Sequence, residues 1–416
     1  MKRGYLSEYF EGVGVKVLSE VDATAKSNQH EIGTTKAMRH FLGEEKTKFE
    51  VNYIWLSGEQ ESISDQGWAT HYNTREGKPR SAEYRFYYPS NSVTELMSAG
   101  DTLFLAMRKD RSILFIVVPE NSGLASHLLW LFGIDEQPEI QFTAQQFGQD
   151  NDAALDFAAR LVLDEIGVEF EDPNANTLDT IIARFGSTFP TTAEFSQLAR
   201  LTLPEVHAED DPDAALIAWL DHEEAMFRRL EKKIVAERIL EGFVEKGEVD
   251  VDAFIHYSLG VQNRRKSRMG HSLEHHLKAV FDACSVRYDA QVITEKGKKP
   301  DFIFPGQSEY EDPNFSVSML TMLAAKSSCK DRWSQVLPEA ERIPLKHLVT
   351  LELGISESQT ETMAASNVQL IVPTRLQSSY TARQRSWLWS VSAFVRHTKI
   401  KQTQTSLSVS FFPNSH

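Results

Sequence analysis

The chain has 416 residues, 41% of them hydrophobic, which excludes a disordered protein and allows two or three domains with sizeable cores. Cys284 and Cys329, 45 positions apart, offer neither a disulfide framework nor metal-ligand spacing, so a reducing, cytoplasmic setting is expected. The net charge of -15 argues against a polyanionic partner until its distribution is read: Leu131–Leu220 holds 18 Asp and Glu against three Arg and no Lys, the whole excess, and the remainder is neutral.

The first 130 or so residues read as short strands, "FEVNYIWLSG", "AEYRFYYPS" and "DTLFLAMRKDRSILFIVVP", rich in aromatic and β-branched residues and bounded by turn formers. A mainly-β domain is expected. The stretch "SILFIVVPENSGLASHLLWLFGI" is broken by Pro119, Glu120 and Gly123, and "MKRGYLSEYF" has no uninterrupted apolar run, so neither a membrane span nor a secretory signal is expected. "NDAALDFAARLVLDEIG" has helical character, and "FEDPNANTLDT" has the acidic, Pro- and Asn-bearing composition of a boundary. The division expected is residues 1–172 as a first domain with an acidic C-terminal part, 173–210 as a linker and 211–416 as a second domain.

That second domain opens on "DPDAALIAWLDHEEAMFRRLEKKIVAERILEGF", where Leu216, Trp219, Leu220, Phe227, Leu230, Ile234 and Phe243 form an approximate helical stripe, a core-facing helix. In "GHSLEHHLKAVFDA" Ser272 can cap a helix with Leu273, Leu277, Val280 and Phe281 on one face and Glu274 in its first turn. Strand-like "DAQVIT", "DFIF", "MLTMLAAK", "KHLVTLEL" and "NVQLIVPT" alternate with helices, giving an α/β domain with a central mixed sheet. Between Gln262 and Pro300 stand nine Lys and Arg against four acids, a pattern shared by basic binding faces and ordinary solvated ones.

Asp301 begins the strand "DFIF", and Lys326 ends "MLTMLAAK" 25 positions later, so the two ends can meet at one edge of the sheet. Glu339 lies thirteen residues further, on an expected helix "RWSQVLPEAERI". Two carboxylates and a lysine would then converge. Hydrolysis of a phosphodiester needs an attacking water, neutralisation of charge on the phosphoryl oxygens and help for the leaving oxygen; acids holding Mg²⁺ supply the last two, and a lysine can orient the water. On spacing alone a surface Asp and a strand-end Lys is the better explanation.

The segments "NRRKSRMGHSLEHHL", "ITEKGKKPDFIFP", "LAAKSSCKDRWSQVLPEAERIPLKHLVTLELGIS" and "NVQLIVPT" resemble, with gaps from about Trp219 to the C-terminus, the catalytic domain of EcoRII-type restriction endonucleases, members of the PD-(D/E)xK nuclease superfamily. The resemblance implies a restriction-endonuclease-like mixed sheet flanked by helices, with Asp301 as the metal-binding aspartate and Lys326 as the catalytic lysine. The acid usual two residues before that lysine is replaced by Ala324, and Glu339 fits the displaced acid of this branch. Glu274 resembles a further acid, an outer metal ligand, and Lys330 and Arg332 resemble residues that face DNA. It further implies Mg²⁺ as cofactor, double-stranded DNA with CCWGG or CCNGG sites as substrate, a homodimer, and a cognate DNA methyltransferase as genetic partner. Arginine is suited to gripping guanine, so Arg264, Arg265, Lys266 and Arg268 in "NRRKSR" join the DNA-binding candidates. Relatives extrude the central base pair, for which Trp219, Phe227 and Arg228 are loose candidates.

The N-terminal region resembles the family's effector domain faintly, a mainly-β pseudobarrel that binds DNA and covers the catalytic cleft. "SNQHEIG" and "WATHYNTREGKPRSAEYRFYYPSN" carry the resemblance, with His30, Trp68, His71, Tyr72, Asn73, Arg75, Lys78, Arg80 and Arg85 as a basic and aromatic mixture suited to DNA. Two rival readings are a DNA-binding protein that does not cleave and a repair nuclease of the same superfamily. An intact Asp301, Lys326 and Glu339 set disfavours the first, and site-reading segments disfavour the second.

Overall fold

A computed structural model describes residues 5–23, 30–56, 63–120, 124–134, 137–148, 155–168, 175–245, 247–329 and 332–410, and only the backbone of 175, 176, 245, 266 and 405–410. The chain divides into two compact units between residues 173 and 174.

The first unit contains β1 (Phe10–Val17), α1 (Glu20–Ala23), β2 (Glu31–Gly33), α2 (Arg39–Leu42), β3 (Thr47–Trp55), β4 (Ile63–Asn73), β5 (Tyr84–Tyr87), β6 (Thr102–Arg108), β7 (Ile113–Val118), α3 (Leu124–Leu131), β8 (Thr143–Gln146) and α4 (Phe157–Glu165). Its strands form one sheet in the order β2-β5-β4-β3-β7-β6-β1-β8, antiparallel except where β3 meets β7. Among the described residues no pairing joins β2 to β8, so the ladder is open. The unbroken apolar run "ILFIVV" makes β7 buried along its whole length at the sheet's centre, as such a run requires. Tyr53, Phe86 and Tyr88 pack against its Phe115. Gly12 of β1 makes room for α2, because a Cβ there would stand 2.5 Å from the Phe41 ring and 3.0 Å from the Gln145 carbonyl.

The second unit contains α5 (Ala175–Ile182), α6 (Thr192–Leu201), α7 (Pro212–Glu241), β9 (Val244–Glu245), β10 (Glu248–Val249), α8 (Val251–Ala283), β11 (Asp289–Ala290), β12 (Phe302–Phe304), α9 (Gln307–Glu311), β13 (Thr321–Lys326), β14 (Lys346–Thr350), α10 (Glu357–Ala365), β15 (Val368–Ile371), α11 (Ala382–Arg385) and α12 (Val391–Ser410). The sheet order is β11-β12-β13-β14-β15, with β12 antiparallel to β13 and the last three strands parallel. This is a mixed sheet with helices.

Two expectations are corrected here. Residues 173–210 are not a linker from end to end: α5 and α6 lay Leu178, Ile182, Phe195, Leu198 and Ala199 against Ala225, Met226, Phe227 and Leu230 of α7. Helices of eight and ten residues are marginal alone, and only the packing partner makes them helices. Nor does Ser272 start a helix. α8 runs unbroken through Gly260 and Gly270 from its true cap, Asp250, whose side chain accepts the Ala253 amide at 2.9 Å, so Ser272 is buried mid-helix.

Candidate active site

β12 runs antiparallel to β13 with Phe302 opposite Leu323, so the start of one strand lies beside the end of the other. Asp301 stands there, buried, just ahead of β12. Its Oδ2 accepts hydrogen bonds from the Ala325 amide at 2.7 Å and Lys326 Nζ at 3.0 Å, and its Oδ1 accepts one from Gln291 Nε2 at 3.0 Å. Three donors fix the carboxylate and leave Oδ1 a lone pair to spare. The apolar run of β13 is fully buried and delivers Lys326, half-exposed, to this edge. Gln291 sits at φ 56, a strained region for a residue with a side chain, and its amide also comes within 3.5 Å of Glu274 Oε2.

Glu339 is not on a helix. Trp333–Val336 forms a short 3₁₀ turn, and beyond it the chain turns irregularly, with Ala340 at φ 46. Pro338 explains this, because an α-helix through it would lose a hydrogen bond and clash with the preceding turn. Burial pushes the Glu339 carboxyl up to about 7; Asp301 pushes the same way, and Lys326, Lys346 and Lys298 oppose it. Glu274 is raised too, first by burial and then by the negative charge of Asp301. Both glutamates therefore feel the negative charge of Asp301. Glu339 Oε2 is buried and, among the described residues, has no hydrogen-bond partner.

No three His, Cys, Asp or Glu side chains among the described residues are already gathered as a metal site. Oxygen donors from one or two carboxylates, completed by water, are nevertheless what Mg²⁺ takes. An orphaned buried Glu339 oxygen beside an Asp301 with a free lone pair fits that ion, and these two residues would hold it.

A stability test follows. Metal-free native protein keeps the Glu339 proton to about pH 7, whereas an unfolded chain releases it near the ordinary value of 4.5. The native state binds the extra proton between these values, so this group removes stability as pH rises through that window. Urea midpoints measured without metal at pH 5 and pH 8 are expected to fall less in Glu339→Gln than in the parent. An equal fall in both proteins would refute the assignment.

Among the DNA-facing expectations, Arg332 is exposed on the turn after β13, its Nη2 3.3 Å from the Ser328 carbonyl. Lys330 lies outside the described residues, as does the side chain of Lys266. Arg268 is corrected: it is 6% exposed, pairs with Glu223 and Glu224 of α7, and stacks 3.9 Å from the Phe227 ring centroid. The helical period turns it inward one turn before Ser272, whose hydroxyl also donates to Glu223, and two turns before His276. Arg264 covers Phe189 at 4.1 Å, and Arg265 pairs with Glu231 at 2.6 Å, so this basic run is mostly spent within the unit. Trp219 and Phe227 are core residues, and Arg228 pairs with Glu224 at 2.6 Å.

In the first unit, Arg75, Lys78 and Arg80 lie on the β4–β5 connection, the latter two exposed. Arg75 and Arg85 both pair with Glu83. His30 precedes β2, which pairs with β5, and its ring meets Tyr88 edge-on. Trp68, Tyr72, Arg85 and Tyr87 alternate outward on β4 and β5, with Lys48 over Trp68 at 4.4 Å. His71 is fully buried, and burial pushes it down to about 4. Sequence reasoning missed Gln291 and Lys346; the one available signal was a lysine opening the apolar run "KHLVTLEL".

Comparison with known proteins adds the following. Residues 227–395 match the family model described as EcoRII C terminal. The type II restriction enzyme EcoRII of Escherichia coli is 43% identical over 186 residues, 44% of this chain and 45% of that enzyme, so the match spans about half of the relative's length. A metal-depleted Ecl18kI bound to uncleaved, modified DNA overlaps 58% of this chain and 87% of its own at 19% identity and a TM-score of 0.43. A complex of the restriction endonuclease PspGI with substrate DNA overlaps 52% and 94% at 14% identity and 0.42. Residues 227–395 of this chain are therefore similar to the EcoRII C-terminal family.

Proposed function

We propose that the protein is a site-specific type II deoxyribonuclease that hydrolyses double-stranded DNA at short CCWGG- or CCNGG-like sites. The observation that carries this reading is the contact of Asp301 with Lys326 at one sheet edge, with Glu339 close enough to feel the charge of both, inside the stretch that matches the EcoRII C-terminal family model. Bound Mg²⁺ would supply charge neutralisation and a polarised water. The chain's own residues do the rest: Asp301, fixed by three donors, and Glu339 present oxygens, and Lys326 holds a positive charge where a phosphate would sit. Arg332 stands exposed on the adjoining turn, suited to a base edge or phosphate. A homodimer is the matching assembly for a nearly palindromic site, and a cognate methyltransferase would protect the host's own copies.

The first unit is read as a DNA-binding effector module of pseudobarrel type that restrains cleavage until it is itself occupied. Its support is the outward row of Trp68, Tyr72, Arg85 and Tyr87 beside the basic β4–β5 connection. If Arg75, Lys78 and Arg80 meet phosphates, replacing all three with Ala lowers the slope of log affinity against log salt by about 0.9 for each phosphate no longer neutralised. Filter binding across a salt series reads it; an unchanged slope removes them from the interface.

Incubating the full chain with unmethylated DNA and Mg²⁺, with fragment ends mapped by sequencing, tests the central claim. Discrete ends at a CCNGG-like site, lost in Asp301→Asn, are expected. Retarded but uncut DNA in every substrate, including short duplexes carrying several sites, favours a non-cleaving DNA-binding protein. Cuts without sequence preference favour a repair nuclease.

A further inference from the structure

We propose that Lys346 is the positioning residue that holds Glu339 in the active site; this rests on the nuclease reading above. The need for such a residue comes from where the acid stands. Ala324 occupies the β13 position two residues before Lys326 and is fully buried, so no carboxylate is delivered by the sheet ladder at that point. Glu339 arrives on an irregular turn instead, and a turn has no ladder to fix it.

Lys346 opens β14 and is 5% exposed. Its ammonium donates to the carbonyl oxygens of Glu339 at 2.6 Å, Ala340 at 2.8 Å and Ile343 at 2.6 Å. All three protons are used, and each goes to the segment that carries Glu339. The Ala340 carbonyl also accepts the Ile343 amide at 2.9 Å, while the buried Ile343 carbonyl takes its donor from the lysine, and a buried ammonium is tolerated only when fully bonded. Lysine and turn therefore complete each other. A second set of ties runs to the segment leading into Asp301: the Glu341 amide donates to Glu295 Oε2 at 3.1 Å, and Lys296 pairs with Glu341 at 2.5 Å. The turn is thus anchored to β14 on one side and to the approach of Asp301 on the other. Without the ammonium, the Glu339 and Ile343 carbonyls lose this donor and Glu339 moves with its own carbonyl.

Electron paramagnetic resonance of Mn²⁺ added to the 416-residue chain, without DNA, measures this directly. Lys346→Met is expected to weaken Mn²⁺ binding by about 10- to 100-fold, the usual effect of losing a group that orients a ligand. Lys346→Gln, which keeps two amide donors, falls between Lys346→Met and the parent and decides the matter if Lys346→Met does not fold. Circular dichroism and metal-free retardation of DNA are expected to match the parent. Glu339→Gln separates two kinds of failure. If it weakens Mn²⁺ binding while the Lys346 variants bind as the parent does, losing only denaturation midpoint, Lys346 is merely structural and the inference fails alone. If Glu339→Gln also binds Mn²⁺ unchanged, the assignment of Glu339 as a metal-holding acid falls, and the inference with it.

Discussion

Lys326→Ala is expected to slow cleavage about 10²- to 10⁴-fold under single-turnover conditions, with little loss of metal-free DNA binding. Lys326 Nζ is 3.0 Å from Asp301 Oδ2 and is the first of the positive charges that oppose the rise of Glu339. Its loss acts twice. The reacting phosphate loses a fixed cation, and Glu339 holds its proton more tightly, which competes with metal. Raising Mg²⁺ and pH together is accordingly expected to recover part of the rate in Lys326→Ala, the part that reflects Glu339, and to leave the remainder. A rate within tenfold of the parent at every pH would remove Lys326 from the chemistry. A loss of stability large enough to explain the rate is not expected, because the ammonium is half-exposed and the strand beneath it stays packed.

Arg268→Met has the largest effect expected on stability. Arg268 is shared between Glu223 and Glu224, and Glu223, fully buried, also accepts from Ser272 and meets His276 Nε2 at 2.8 Å. His276 Nδ1 lies 3.1 Å from Arg200 Nη1. Arginine only donates, so Nδ1 accepts, and the ring proton is on Nε2, directed at Glu223. Burial alone would raise Glu223, but the hydrogen bond from His276 and the charge of Arg268 outweigh it and hold the carboxyl below its ordinary value of 4.5. Removing the arginine leaves that carboxylate without its main counter-charge in the interior, at a cost of about 3–5 kcal/mol. Urea denaturation at pH 7 measures it. The pH dependence has a definite sign: a depressed folded value stabilises above about 4.5 and loses that contribution as pH falls through the folded value, so the parent weakens in acid and Arg268→Met weakens less. A destabilisation under 1 kcal/mol, or a fall in the salt slope of DNA binding, would return Arg268 to the DNA-facing set.

The meeting of Asp301 and Lys326 was legible because a strand pattern carries its own geometry. An apolar run of period-independent burial is an interior strand, and a charge at its end has one place to go, the sheet edge. Glu339 was named from the family resemblance rather than from spacing, and its setting was not legible: a helix was expected, and Pro338 makes a turn. Arg268 was misread for a different reason. A run such as "NRRKSR" shows charge but not direction, and on a 33-residue helix consecutive residues point about 100° apart, so part of any basic run faces inward. The acids that claim it, Glu223 and Glu224, lie 45 and 44 positions away on another helix.

The sequence by itself determined the two-part organisation and the mixed strands and helices of the second unit, since these follow from local composition, period and order. The tertiary structure decided which charges are spent within the fold, that residues 175–201 pack as helices rather than hang as a linker, and that a lysine seven positions after Glu339 clamps its turn. Burial and pairing depend on which distant segments meet, and that is a property of the folded chain rather than of any stretch of it.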